Sequence, residues 1–276
     1  MSLLRTGELP EELVAPVLVC AFDGWVDAAG ASSAATTFLA EGGRRVATFD
    51  DDVLYDYRSR RPTLDIIDGT LHRLEWPALS IDHRSVDGRD LLVLHGPEPD
   101  FRWKALGDDI GQFCVRVGVV QWVSLGAIPA AVAHTRPVPV LATASRDGLL
   151  HAAETQGPPG LLRVPSAGLS SIELPIAEIG IPTVGFYAQV PHYVGGPYAA
   201  ASVSLLRHLG RHLGVDLDLA ELDDEAAAQR QRLDAAVAAD DDVREILVRL
   251  EQADEELPTG DELAAEIERF LRGQAD

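Results

Sequence analysis

The sequence predicts an α/β protein with three α/β/α layers, a mixed and largely parallel central sheet, and a C-terminal helical arm. Between residues 16 and 212, continuous apolar runs alternate with helical patterns, which is typical of strands that are buried on both faces of a sheet. From residue 217 onward, apolar residues recur at helical spacing between acidic ones. We therefore divide the chain into an α/β domain, 1–215, and an acidic helical segment, 216–276.

The elements of the first domain can be assigned in order. Apolar β-forming runs predict strands at 16–22, 44–49, 91–95, 119–125, 138–144 and 182–189. Helical spacing predicts helices at 28–40, 102–118, 171–181 and 197–212. The Asp87-Gly88 pair predicts a hairpin turn within 71–95, and residues 50–79 form a less regular stretch.

The acidic segment predicts an αα-hairpin followed by a last helix. Its narrow apolar stripe includes Leu233, Val237, Ile246 and Leu250, and the run Asp240-Asp241-Asp242 interrupts the helical pattern. The last helix follows Pro258-Thr259-Gly260-Asp261 and would bury Leu263, Ile267, Phe270 and Leu271. Such a stripe with acidic flanks suggests a projecting arm that packs on a partner or on the main domain.

Composition narrows the classes of function. The 276 residues carry a formal net charge of −21, which disfavours binding to nucleic acid or to an anionic membrane. Cys20 and Cys114 provide no disulfide framework and no zinc-ligand spacing. Because the first 15 residues lack a signal-peptide core and no uninterrupted run of 18 apolar residues occurs, we expect a cytoplasmic protein without a membrane span.

A first candidate corner follows the first long strand at Asp23, Gly24, Trp25 and Asp27. Such corners often bind phosphate, but two carboxylates without a cation would oppose it, and the glycine spacing matches no nucleotide-binding loop. An aspartate here could bind an amine, a hydroxyl or a metal. The alternative is that Asp27 caps the following helix while Asp23 bonds to loop backbone.

Two further corners carry histidine. His134, Thr135 and Arg136 could place a general base beside an anion-binding guanidinium, and His192 with Tyr193 could reach the same rim of the sheet. The alternatives are a structural Arg–Asp pair and a proline-stiffened loop. No tight metal-ligand spacing and no nucleophile elbow occur, so we predict no catalytic residue, no metal and no cofactor.

The stretch from Tyr55 to Arg61 combines Tyr55 and Tyr57 with three arginines. Given the acidic balance of the chain, an exposed oligomer contact is a better interpretation of this loop than nucleic-acid binding.

Taken together, these corners resemble the bacterial branch of the proteasome assembly chaperone 2 family. The matching residues are Gly24-Trp25 with Asp27-Ala28, Gly126 through His134-Thr135-Arg136-Pro137, Val190-Pro191-His192-Tyr193 and Leu257-Pro258-Thr259-Gly260-Asp261-Glu262-Leu263. The resemblance implies a fold like that of purine nucleoside phosphorylases and a role in protein assembly more than in catalysis. Family members that dock into proteasome α-rings use a hydrophobic-Tyr-any tail; this sequence ends Gly273-Gln274-Ala275-Asp276, so we expect no docking of that kind.

Two hypotheses follow. The first is a non-enzymatic assembly or interaction protein that forms a homo-oligomer, with proteasome subunits as possible further partners. The second is a small-molecule enzyme of the nucleoside phosphorylase or hydrolase type that uses Asp27, His134, Arg136 and His192. A phosphorylase needs a cationic phosphate site, and Arg136 is the one candidate cation in these corners.

Overall fold

The computed structural model describes residues 2–255 of the chain. The strands are β1 (Leu4–Thr6), β2 (Val17–Asp23), β3 (Arg44–Phe49), β4 (Thr63–Ile67), β5 (Thr70–Glu75), β6 (Ser80–Val86), β7 (Arg89–Pro97), β8 (Gln121–Ala130), β9 (Val140–Ala144), β10 (Thr155–Gln156) and β11 (Thr183–Pro191). The helices are α1 (Ala31–Ala40), α2 (Asp51–Leu54), α3 (Trp103–Val117), α4 (Gly168–Glu178), α5 (Ala199–Leu213), α6 (Ala220–Ala239) and α7 (Asp241–Glu255).

Nine strands form one mixed sheet in the order β1-β3-β6-β7-β2-β8-β11-β9-β10. The four central strands, β7, β2, β8 and β11, run parallel to one another. Antiparallel pairs flank them: β6 on β7 at one side and β9 on β11 at the other. The predicted mixed and largely parallel sheet is confirmed.

Two apolar clusters cover the two faces of the sheet and complete the three layers. On one face, alternate residues of β2 such as Val17 and Val19 pack with α1 and α5. On the other face, Leu18 and Cys20 pack with α3 and α4 around Trp122. Since successive side chains of a strand point to opposite faces, β2 must be apolar at nearly every position, as the sequence indicates.

The strands and helices predicted in the first domain are all present, with ends that differ by a few residues. The turn at Asp87-Gly88 joins β6 to β7 as expected. A second hairpin was missed: β4 and β5 form a separate two-stranded sheet in the stretch interpreted as irregular. The local signal was Asp68-Gly69, the same turn pair, between Ile67 and Thr70.

The acidic segment forms two helices, α6 and α7, joined at Asp240. Helix α6 packs along α5, and Leu233 contacts the apolar cluster on that face. The predicted last helix, with Leu263, Ile267, Phe270 and Leu271, lies outside the described residues. Within residues 2–255, no helix is both long and apolar enough to cross a membrane.

Candidate functional site

The first corner lies at the carboxyl end of β2 and is organised around Glu98, which follows β7. The backbone N–H of Trp25 donates to Glu98 Oε2 at 2.9 Å. A side chain on Gly24 would collide with the Glu98 carboxylate, so only glycine permits this approach. The indole of Trp25 is 69% exposed and takes no part in the arrangement.

Asp23 and Asp27 have separate partners. Asp23 forms an ion pair with Arg60, with 3.1 Å between Nη1 and Oδ2. Asp27 Oδ1 accepts hydrogen bonds from the backbone N–H groups of Ser32 and Ser33, at 2.7 and 3.1 Å, and from the Ser32 hydroxyl at 2.7 Å. Asp27 therefore caps the first turn of α1, the structural alternative considered for it. Asp23 bonds to a side chain, whereas that alternative gave it loop backbone.

His134 is the buried centre of the second corner. Its Nδ1 lies 2.7 Å from the Tyr193 hydroxyl and its Nε2 lies 3.1 Å from Asp234 Oδ1. The Tyr193 hydroxyl also accepts the backbone N–H of His134 at 2.8 Å. With its side chain 0% exposed and both ring nitrogens bonded, His134 is held in one orientation and has no nitrogen directed to solvent.

The other predicted residues of the second and third corners lie around His134. The Thr135 hydroxyl donates a hydrogen bond to the Glu251 carboxylate of α7. Arg136 is exposed and its backbone N–H bonds to Ala133 O. His192 is exposed, and its ring stands edge-to-face with that of Tyr193 at 5.5 Å between centroids. These contacts bring His134, Tyr193 and His192 together, as the sequence predicted.

Helices α6 and α7 cover the group formed by His134, Thr135 and Tyr193. Arg230 of α6 donates to the carbonyl oxygen of His134 at 3.0 Å and to both carboxylate oxygens of Asp234 at 3.2 Å. With Thr135 bonded to α7, the αα-hairpin folds back over the loop after β8. The arm is thus joined to the rim by polar bonds as well as to α5 by apolar contacts.

Electrostatics in this closed group reflect burial and pairing. Burial raises the pKa of the Tyr193 hydroxyl, which favours its neutral, hydrogen-bonding form. Slight burial opposes ionisation of Asp234, but hydrogen bonds from Arg230 and His134 outweigh it and lower the pKa of that carboxyl. The group is therefore stabilised as a neutral phenol beside an ionised carboxylate.

A cleft of about 360 Å³ opens between α5, α6 and the loop after β8. Four arginines line it, Arg136, Arg207, Arg211 and Arg230, together with His208 and one acid, Asp223. Arg207 is paired with Asp223 at 2.8 Å. Burial, with a contribution from Arg211, lowers the pKa of His208. This positive cleft is unusual on a chain with a net charge of −21.

Several residues of this site could not be found from the sequence. Glu98, Arg230 and Asp234 are not among the residues that the sequence patterns single out. Their partners lie 73, 96 and 100 positions away in the chain. No local pattern reports a contact across such a separation; the one available hint was an arginine and an aspartate at i,i+4 spacing.

The expectation that Tyr55 is an exposed contact residue is wrong. Tyr55 is 3% exposed, and its hydroxyl donates to Pro97 O at 2.8 Å. Burial raises its pKa far above the usual range. Tyr57 remains partly accessible, and its ring meets Trp76 edge-to-face at 4.7 Å between centroids.

The contact stripe predicted on the arm is also used within the chain. Leu233 contacts the domain core and Val237 is 7% exposed, whereas Ile246 and Leu250 are half-buried. Of the two alternatives, packing on a partner or on the main domain, these contacts favour the main domain for α6.

Fold and site together define a class: a three-layer α/β protein whose C-terminal helical hairpin closes the carboxyl rim of its sheet. A family model described as the PAC2 family matches residues 21–237. The chain belongs to the PAC2 family, which confirms the resemblance seen in the sequence.

Solved structures agree with this assignment. A protein of unknown function from Mycobacterium tuberculosis is 29% identical, with a TM-score of 0.86 over 98% of this chain and 92% of that one. One from Corynebacterium glutamicum is 27% identical, with a TM-score of 0.85 over 94% and 99%. A proteasome-assembly chaperone homologue from Mycobacterium tuberculosis is 33% identical, with a TM-score of 0.76 over 84% and 99%. No curated protein matches the chain.

Proposed function

We propose that this protein is a non-enzymatic assembly or interaction protein that acts as a homo-oligomer. Family membership supports a chaperone-like role, and a relative at 33% identity is named as a proteasome-assembly chaperone homologue. Proteasome subunits are therefore the first partners to test. The buried, fully bonded state of His134 supports a structural rather than a catalytic role for the rim.

The observation that carries the oligomer proposal is the hairpin β4–β5. Every residue of both strands is exposed. Six large apolar side chains on or beside the hairpin are 44–70% exposed: Leu64, Ile66, Ile67, Leu71, Leu74 and Trp76. An isolated two-stranded hairpin is marginally stable in water, and a concentrated apolar surface usually marks an interface.

Charge favours a second copy of this chain as the occupant of that surface. Residues 60–76 contain three arginines and three acids, so this stretch is neutral on a chain of net charge −21. Two copies repel each other over most of their surface, and the repulsion is smallest where the hairpin meets its counterpart. Arg73 and Glu75 pair with each other, with 3.5 Å between Nη2 and Oε1, so they add no net charge to this surface.

Light scattering coupled to size exclusion tests this proposal. We expect an oligomer for the wild type and a 29.6 kDa monomer for Leu71→Asp, which places a charge on a side chain that is 70% exposed. Leu161→Asp is the matched control, because Leu161 is 86% exposed but lies outside the hairpin. A monomeric wild type, or an oligomer that survives Leu71→Asp, would contradict the proposal.

The partner question has its own test. A tagged copy expressed at native level should co-purify with proteasome subunits that quantitative mass spectrometry identifies, and Leu161→Asp should capture the same subunits. Capture that equals that of an unrelated acidic control protein would count against a proteasomal partner.

The arginine-lined cleft favours a second candidate function, a small-molecule enzyme of the phosphorylase or hydrolase type. His134 and Arg136 line this cleft, but Asp27 caps α1 and His192 stands outside its lining. An enzyme would thus use the cleft rather than the four residues first suggested. Turnover of a nucleoside and ester panel that disappears in Arg136→Ala, with the oligomer unchanged, would establish this alternative.

A further inference from the structure

A second buried histidine lies at the opposite end of the sheet. His212, in the last turn of α5, is 3% exposed in its side chain, and its Nδ1 lies 2.8 Å from Glu154 Oε1. Glu154 precedes β10 and is 6% exposed in its side chain. His151 stands beside them with 56% of its side chain exposed, its Nδ1 3.9 Å from the same oxygen.

These three side chains converge on one point. One ligand atom from each lies within 4.8 Å of the other two. The rings of His151 and His212 are stacked, with 4.8 Å between centroids and 25° between planes. Two imidazole nitrogens and a carboxylate oxygen are the donors that zinc and its first-row neighbours bind, so a small closure around an ion would bring all three into coordination distance.

The surroundings hold the donors in the way that metal sites require. Gln121 Nε2 lies 2.9 Å from His212 Nε2. Because the oxygen and nitrogen of an amide are assigned from their hydrogen bonds, a rotated Gln121 amide accepts the Nε2 proton and leaves Nδ1 to coordinate an ion. Glu154 Oε2 accepts the backbone N–H of His151 at 2.8 Å, which leaves Oε1 facing the imidazoles. Phe186 supports the His212 ring edge-to-face at 5.3 Å.

Electrostatics favour a cation at this point. The Glu154 carboxylate is nearly buried, and the groups in direct contact with its oxygens are two imidazoles and a backbone N–H. The carboxyl end of α5 adds the negative end of its dipole, which attracts positive charge. A divalent ion satisfies the carboxylate, both imidazoles and the helix end together.

The geometry points to a zinc-class divalent metal site formed by His151, Glu154 and His212, with Gln121 as a positioning residue. The ion would join the loop after β9 to the end of α5 by three protein ligands. Because His151 is exposed, a fourth position faces solvent and is available to water.

Calorimetric titration of untagged, chelator-treated full-length protein with Zn²⁺ tests the site, and Co²⁺ absorption spectra report its coordination. We expect one equivalent of Zn²⁺ in the wild type. His151→Ala should weaken binding by more than about tenfold, because it removes a ligand rather than an outer partner. Because the His151 side chain is exposed, this variant should fold like the wild type, and circular dichroism without metal checks this.

Two further variants keep the test decisive. Glu154→Gln, which preserves shape, should weaken zinc binding as His151→Ala does. His72→Ala removes an exposed histidine from the β4–β5 hairpin and should bind like the wild type. The proposal is overturned if the wild type binds no zinc at concentrations of about 100 µM, far above those that structural sites need. It is equally overturned if His151→Ala and His72→Ala bind as the wild type does.

Discussion

His134 and His212 are both buried imidazoles bonded to a carboxylate, and they lie at opposite ends of β8. His134 follows the carboxyl end of that strand, whereas His212 contacts Gln121 at its first residue. The two histidines differ in the residue that contacts the ring besides the carboxylate. His134 is completed by Tyr193 and covered by α6, whereas His212 lies beside a second, exposed imidazole.

This comparison teaches that a buried histidine is identified by what its nitrogens face. At the carboxyl rim, where ligands of open α/β sheets usually bind, the donors are used by the protein itself. At the amino end of β8, one ligand atom each from His151, Glu154 and His212 lies within 4.8 Å of the other two. The rim residues are neighbours in the sequence, and this makes them easy to recognise. Neighbouring positions do not show whether a histidine nitrogen is already hydrogen-bonded, as both nitrogens of His134 are.

The largest expected effect separates His134 from its exposed neighbour. His134→Ala removes the imidazole that bonds Tyr193 and Asp234 and leaves a cavity, so the free energy of unfolding should fall by about 2–4 kcal/mol. His192→Ala, at an exposed position, should stay within about 0.5 kcal/mol of the wild type. Urea unfolding measures both; equal values for the two variants would show that the closed group contributes nothing to stability.

Zinc should distinguish the two ends of β8 by a somewhat smaller change in the free energy of unfolding. At a hundredfold excess over its dissociation constant, Zn²⁺ should raise the free energy of unfolding by about 2.7 kcal/mol, since only the folded chain binds it. Asp234→Asn, at the rim, should show the same gain, whereas His151→Ala should gain at most about 1.4 kcal/mol, because its dissociation constant is at least tenfold larger. Thermal unfolding with and without the ion measures this. A gain lost in Asp234→Asn but kept in His151→Ala would place the ion at the wrong end.

The smallest effect concerns the Arg230–Asp234 pair, which is half exposed. Asp234→Asn should lower the free energy of unfolding by roughly 0.5–1 kcal/mol at neutral pH, because the charged hydrogen bonds to Arg230 and His134 weaken. The pKa of this carboxyl is lowered by folding, so its stabilisation is complete above about pH 4, the unfolded value. It disappears as the pH falls through the lower folded pKa.

Urea unfolding measures the free energy of unfolding of the wild type and of Asp234→Asn from neutral to acid pH. Plotted against pH, the two sets of values should converge in acid. Curves that remain parallel through this range would mean that the charge of Asp234 contributes nothing.

Much of the fold was readable because its causes are local. The run Pro16–Phe22 is apolar at every position, as a strand covered on both faces must be, and β2 occupies nearly the same residues. The Asp87-Gly88 pair marks the β6–β7 turn by its own backbone preference. Each corner of the candidate site also follows a strand in the chain, which is a local feature of the sequence.

What could not be read depends on distant pairing. Glu154 and His212 are 58 positions apart, and nothing near either residue signals the other. A tyrosine among arginines has the composition of a protein surface, yet Tyr55 is buried and its hydroxyl donates to the carbonyl oxygen of Pro97 at the end of β7. Whether a polar side chain faces solvent or a partner is decided by the packing of whole layers.

The closure of the rim by α6 also sets an order of events during synthesis. His134 leaves the ribosome 100 residues before Asp234, which at about 5–20 residues per second is a delay of roughly 5–20 seconds. Within that interval β9, β10 and β11 are made, so the sheet can be completed while its carboxyl rim still lacks Arg230 and Asp234. The nascent chain therefore passes through a state with an open rim, and synthesis of α6 and α7 converts it to the closed one.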